Sequence, residues 1–97
     1  MTSSIDLIIS VAARENIRNI LEYTEATWGV EQSDAYDLTL HNAFRRIQAF
    51  PDIGRVTDED RPTLREYLLE HHTILYRREP DAVTILRVIN PRRLRRR

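Results

Sequence analysis

Proton transfer near neutral pH is the work of histidine in a chain without cysteine, and this sequence has three: His41, His71 and His72. The absence of Cys removes thiol nucleophiles, disulfides and cysteine-based metal sites. His71 and His72 adjoin a turn between expected strands and His41 lies on an expected helix, where an imidazole is ordinarily solvated. No residue is therefore assigned a catalytic role, and neither a metal site nor a cofactor is expected. The second chemistry on offer is anion binding. All fifteen basic residues are Arg. Arginine grips a carboxylate or phosphate through paired N–H donors, but its pKa above ~12 makes it no base. A GC-rich genome is the simplest reason for the all-Arg choice; selection for bidentate anion contacts is the sharper one. Arg87 stands out because it interrupts the apolar run Val83–Ile89, and a buried Arg needs an acid or a functional pocket.

The frame that positions these residues is small. A length of 97 residues allows one core, so residues 1–97 are expected to form a single domain. Fifteen acids cancel the fifteen arginines, which excludes a uniformly basic nucleic-acid binder and an acidic disordered chain. The cancellation hides a split. Residues 1–50 carry four Arg against seven acids, a net −3, and residues 51–97 carry eleven Arg against eight acids, a net +3. Residues 91–97 form an Arg-rich tail, with five Arg among the last six positions. No basic n-region opens the chain and no run of ~18 apolar residues occurs. A cytoplasmic protein with no membrane contact is the expectation.

Ile5–Ile9 is a short Ile-rich run that reads as a strand, and Ser10 stands where a helix N-cap belongs. Ala13, Ile17, Ile20, Leu21, Thr24 and Trp28 then recur at helical spacing up to Gly29, a residue suited to ending a helix. Tyr36, Leu40, Ala43, Phe44, Ile47 and Phe50 form a second stripe that Pro51 stops. The short link predicts a helical hairpin, with Trp28 and Tyr36 packed between its arms. Leu38 lies some 200° round from Tyr36 at ~100° per residue, pointing away from that core. Residues 51–63 read as a loop. Strands follow at Leu64–Leu69, Thr73–Arg78 and Val83–Asn90, with Glu79-Pro80-Asp81 turning the last pair into a hairpin. The near-continuous apolar run Val83–Ile89 predicts a central strand covered on both faces. The expected class is α+β: an N-terminal strand, a helical hairpin and a three-stranded antiparallel meander completing one sheet, in the order β-α-α-β-β-β.

Taken together, several segments resemble the ParE branch of the RelE/ParE toxin superfamily, toxins of bacterial type II toxin–antitoxin modules. They are Ala12-Ala13, Ile17, Ile20 and Tyr23; Trp28-Gly29-Val30-Glu31-Gln32 with Tyr36; Phe50-Pro51-Asp52-Ile53-Gly54-Arg55; Arg61-Pro62 with Leu64-Arg65; His72 to Arg77; and Ile85-Leu86-Arg87-Val88-Ile89. No single piece is specific; their order and spacing are. The tail departs from the pattern, because Ile89-Asn90-Pro91 stands where ParE chains run into a His-containing stretch.

The resemblance implies a non-enzymatic inhibitor of DNA gyrase, acting in growth inhibition and plasmid stabilisation. A cognate ParD-like antitoxin of the ribbon-helix-helix type would neutralise it in a hetero-oligomer, with DNA contacted mainly through the antitoxin. RelE-type relatives instead cut mRNA on the ribosome, which needs a base, charge neutralisation and a proton for the leaving oxygen. The tail here has neither Tyr nor His and the chain has no Lys, so the endonuclease is the alternative, beside an inactive homologue acting only in an operon-repressing complex. Target-binding candidates are Arg55, Arg65 and Arg87, at matched positions, with Arg92 and Arg93. Antitoxin-binding candidates are Tyr23 and Leu38, as an apolar groove, with Arg95 and Arg96.

Overall fold

A computed structural model describes residues 5–90. Seven elements follow one another as β1 (Asp6–Ile9), α1 (Val11–Trp28), α2 (Val30–Ala49), β2 (Arg55–Val56), β3 (Leu64–Leu68), β4 (Thr73–Glu79) and β5 (Ala82–Ile89). The strands form one sheet in the order β1-β5-β4-β3-β2. β1 runs parallel to β5 and every other pair is antiparallel. The expected order of elements holds, with one addition. Within the expected loop, Arg55 and Val56 pair with Glu66 and Arg65 as a short edge strand.

Ser10 explains how β1 passes into α1. Its hydroxyl accepts from Ala13 N at 3.0 Å, which caps the helix, and donates to Leu86 O at 3.0 Å. Its own N–H reaches Ile85 O. One small residue therefore caps α1 and ties it to the sheet. Ser10→Ala is expected to cost about 1–2 kcal/mol, the upper end of a lost cap, because the Leu86 carbonyl also loses its donor. Ser10→Asp keeps the acceptor but not the donor and should recover only part of the loss. Equal stabilities of wild type and Ser10→Ala in urea titration would remove the cap from this account.

At the other end of α1 the chain reverses within Gly29 alone, whose φ of 101° and ψ of 168° place it in a region essentially reserved for glycine. Gly29 N closes α1 on Glu25 O, and Gly29 O opens α2 by accepting from Ser33 N. Ser33, buried, donates its hydroxyl to Leu21 O and holds the two helices together.

The core lies between the hairpin and one face of the sheet. Ala13, Leu40, Ala43, Phe44 and Ile47 from the helices meet Ile74, Tyr76, Val83, Ile85 and Val88 from β4 and β5. Strict alternation along β5 would turn Val88 away from Val83 and Ile85. A bulge prevents it: Tyr76 pairs with Ile85 and Leu75 with Arg87, so Leu86 is the extra residue. Groups near the bulge are satisfied by α1, where Asn16 Oδ1 accepts from Val88 N at 3.0 Å and Ser10 donates to Leu86 O.

Two expectations fail here. Arg87 is exposed and not buried, because the bulge turns it to the sheet face opposite the helices. No described element covers that face, so β5 is a central strand packed by helices on one side only. Its apolar run reflects a bulge-shifted phase rather than two covered faces.

Candidate functional site

The Phe50–Arg55 segment is built around a tyrosine and a carboxylate. Tyr76, fully buried on β4, donates its hydroxyl to Pro51 O at 2.6 Å and accepts from Gly54 N at 2.9 Å. Burial pushes its phenol pKa up, keeping the donor proton in place. A Cβ on Gly54 would fall 2.7 Å from Glu66 O and 2.8 Å from the Tyr76 ring, so only glycine permits this approach. Asp52 then bridges two arginines, accepting from Arg78 Nε at 2.8 Å and lying 3.4 Å from Arg65 Nη2. The Arg78 bond holds the Asp52 carboxyl below its usual range, with Arg65 adding to the effect. A lowered carboxylate value stabilises the fold above the unfolded aspartate range, and that contribution disappears as pH falls through the lowered value.

Arg65 also donates to Gly54 O at 2.6 Å and Asp52 O at 3.1 Å. It is thus the strut of this loop, and its guanidinium is largely committed there. Tyr76→Phe tests the arrangement without emptying the core. It leaves the Gly54 N–H and the Pro51 carbonyl without their partner and is expected to cost about 1–3 kcal/mol in chemical denaturation. A variant as stable as wild type would mean the loop keeps its shape without the hydroxyl.

The uncovered sheet face carries a row read directly from the register, Arg55–Glu66–Leu75–Arg87 across β2, β3, β4 and β5. Arg55 is bound to Glu66 through both Nε and Nη2 at 2.7 Å, though its own side chain is 72% exposed. Arg87 stands two strands away from Glu66, so the two exposed target-binding candidates share one face. Arg65 belongs to the other side, beside Tyr76. Arg92, Arg93, Arg95 and Arg96 lie outside the described residues.

A different surface holds the apolar opening. α1 crosses the sheet so that Asn16 already stands over Val88, close to the end of β5 at Ile89. Trp28 lies twelve residues further on, about 18 Å along the helix axis at ~1.5 Å per residue. It keeps its place on the apolar stripe but has run past the sheet, and it is 71% exposed instead of packed in the core as its spacing suggested. Beneath this end of the hairpin lies an open groove of about 1260 Å³. Its walls are Ile20, Tyr23 and Trp28 from α1, Tyr36 from α2, His72 from the β3–β4 turn, and Val88.

Tyr36 sits half-buried on the groove wall and not wholly between the helices. Its hydroxyl is 2.7 Å from His72 Nδ1, a contact between residues 36 positions apart that no local pattern reveals. Desolvation, then the Glu70 charge, raises the Tyr36 phenol to about 12. Burial lowers the His72 pKa, with His71 adding to it. Of the two residues expected to form an apolar groove, Tyr23 lines this one and Leu38 does not. Leu38 is 62% exposed on the opposite side of α2 from buried Leu40. Sequence reasoning missed Trp28 and His72 as groove residues; only the crossing of α1 over β5 exposes them. Among the described residues no group of three potential metal ligands converges, and no helix is long and apolar enough to cross a membrane.

Comparison with known proteins agrees with this architecture. Residues 7–95 match the family model of the ParE toxin of the type II toxin–antitoxin system parDE. Toxin ParE1 of Mycobacterium tuberculosis is 35% identical over 86 residues, covering 88% of each chain. Toxin ParE3 of Caulobacter vibrioides is 34% identical over 64 residues, covering 66% of this chain and 64% of its own. A chain from the chromosomal ParDE TA system of P. aeruginosa superposes with a TM-score of 0.77 over 92% of this chain and 98% of its own; at 16% identity that likeness carries the fold alone. With nearly the whole chain matched, the protein belongs to the ParE family of type II toxin–antitoxin toxins.

Proposed function

We propose that this toxin acts in the cytoplasm as a stoichiometric inhibitor of DNA gyrase and is silenced by a ParD-like antitoxin whose apolar side chains fill the groove under the hairpin. The observation that carries the antitoxin half is Trp28. A tryptophan 71% exposed beside a tyrosine 68% exposed, on a groove floored by Val88, is the kind of aromatic anchor site that protein partners use. The gyrase half follows from family membership. A binding protein rather than a ribonuclease is favoured by the state of the candidate groups: Arg55 and Arg65 are held by Glu66 and Asp52, and His72 is held by Tyr36.

The discriminating experiment is induction of the toxin without its antitoxin, followed by parallel assays of DNA supercoiling and transcript integrity. Loss of supercoiling with intact transcripts is the expected result. Transcripts cut at ribosomal sites, with supercoiling preserved, would transfer the protein to the endonuclease class. A neighbouring reading frame encoding a ribbon-helix-helix protein would support this reading and would supply the partner for the binding measurements below.

A further inference from the structure

The Tyr36–His72 pair is a built feature of the groove. The Tyr36 phenol, raised to about 12, keeps its proton across the physiological range, so its hydroxyl can donate to Nδ1 or accept from it. The contact fixes the orientation of the imidazole ring and leaves Nε2 as the nitrogen turned away from Tyr36. Nε2 makes no hydrogen bond among the described residues and is not among their fully enclosed polar atoms, while His72 itself lines the groove. The groove therefore holds one oriented imidazole among aromatic and aliphatic side chains and the amides of Asn16, Asn19 and Gln32.

The other titratable groups of the lining are Tyr23 from α1, Tyr36 from α2, and Glu70 and His71 from the β3–β4 turn; β5 contributes none. Glu70 is the lining's carboxylate, but its side chain is 83% exposed and lies 3.9 Å from His71. Among the described residues His72 is left with no anionic partner of its own.

We infer that His72, oriented by Tyr36, is a proton-linked recognition residue of this groove, whose Nε2 pairs with a carboxylate side chain of the segment that fills it. The inference rests on the groove being the antitoxin's seat. An arriving carboxylate offsets the desolvation that keeps the empty-groove imidazole neutral. The ring takes a proton from solvent and becomes a donor at both nitrogens, with the Tyr36 hydroxyl oxygen accepting from Nδ1, so the 2.7 Å contact survives. The sign follows from linkage. The free His72 value is depressed and the carboxylate raises it in the complex, so affinity climbs as pH falls between the bound and free values and is level above both. Each unit of difference is worth a factor of about ten in affinity.

The test is the dissociation constant of the purified antitoxin from the adjoining reading frame, measured on folded full-length toxin at pH 8 and pH 5.5. Wild type should bind about tenfold tighter at the lower pH. His72→Gln, which retains a donor but does not titrate, should flatten that slope, whereas His71→Gln should retain it. Tyr36→Phe should weaken the slope by freeing the ring's orientation, with circular dichroism confirming the fold of each variant. A level wild-type profile, or a slope that persists in His72→Gln, overturns the inference. If the antitoxin binds with a Kd that Trp28→Ala does not change, the groove itself is misplaced, and the inference falls with it.

Discussion

Ile85→Ala is expected to remove about 2–5 kcal/mol of stability, through lost transfer energy and a residual cavity. Ile85 is fully buried on β5, the strand between β1 and β4. It pairs in register with Ile9 on one side and Tyr76 on the other. Its backbone carbonyl also receives Ser10 N at the start of α1, which restrains local collapse. A domain of this length carries roughly 5–15 kcal/mol in total, so one methylene-rich side chain decides a large share of it. Ile8, on the edge strand β1 opposite Thr84, is 47% exposed and Ile8→Ala should cost under about 1 kcal/mol. Urea denaturation of the pair provides the measurement. An Ile85→Ala loss no larger than that of Ile8→Ala would show that β5 is not the core's central strand.

Trp28→Ala should accelerate dissociation of the antitoxin by about thirtyfold or more, the effect of losing an aromatic anchor worth ~2 kcal/mol. Tyr23→Asp should act in the same direction by placing a charge on the groove wall. Both side chains are mostly exposed in the free toxin, so neither change should cost much stability. Leu38→Asp is the control: it is equally exposed, but it lies on the far side of α2 from the core and outside the groove. Removing Arg92 to Arg97 should act differently, slowing association at low salt with little change in dissociation, because exposed ion pairs are worth only ~0–1 kcal/mol each. Surface-immobilised kinetics at two salt concentrations separates the two effects. Comparable acceleration by Leu38→Asp and Trp28→Ala would place the docking surface on the outer face of the hairpin instead.

The arginines show why residue type alone does not assign a role. Arg65 and Arg55 shared one role in the sequence, each an Arg at a family-matched position, the first on an expected strand and the second in an expected loop. In the fold Arg65 braces the Pro51–Gly54 loop, while Arg55 is an exposed edge residue sharing its charge with Glu66. A charge on a strut is unavailable without unravelling what it holds, so Arg55 and Arg87 are the pair left for surface contact on the open sheet face.

Sequence by itself determined the order of the elements and all of them but the short edge strand β2. Helical spacing from Ala13 to Ile47, the Ser10 cap, the single-glycine reversal and the hairpin at Pro80 are local physics, each written within a few residues of where it acts. The tertiary structure alone decided what those elements expose. Periodicity placed Trp28 on the buried stripe, correctly as to face, but could not show that α1 outruns the end of β5. The near-continuous apolar run Val83–Ile89 read as covered on both sides, because a bulge at Leu86 shifts phase without changing composition. The pairing of Tyr36 with His72 and the bridge from Asp52 to Arg78 join segments 36 and 26 positions apart. Such contacts depend on the angle and register at which the elements pack, and neither is encoded in a local pattern.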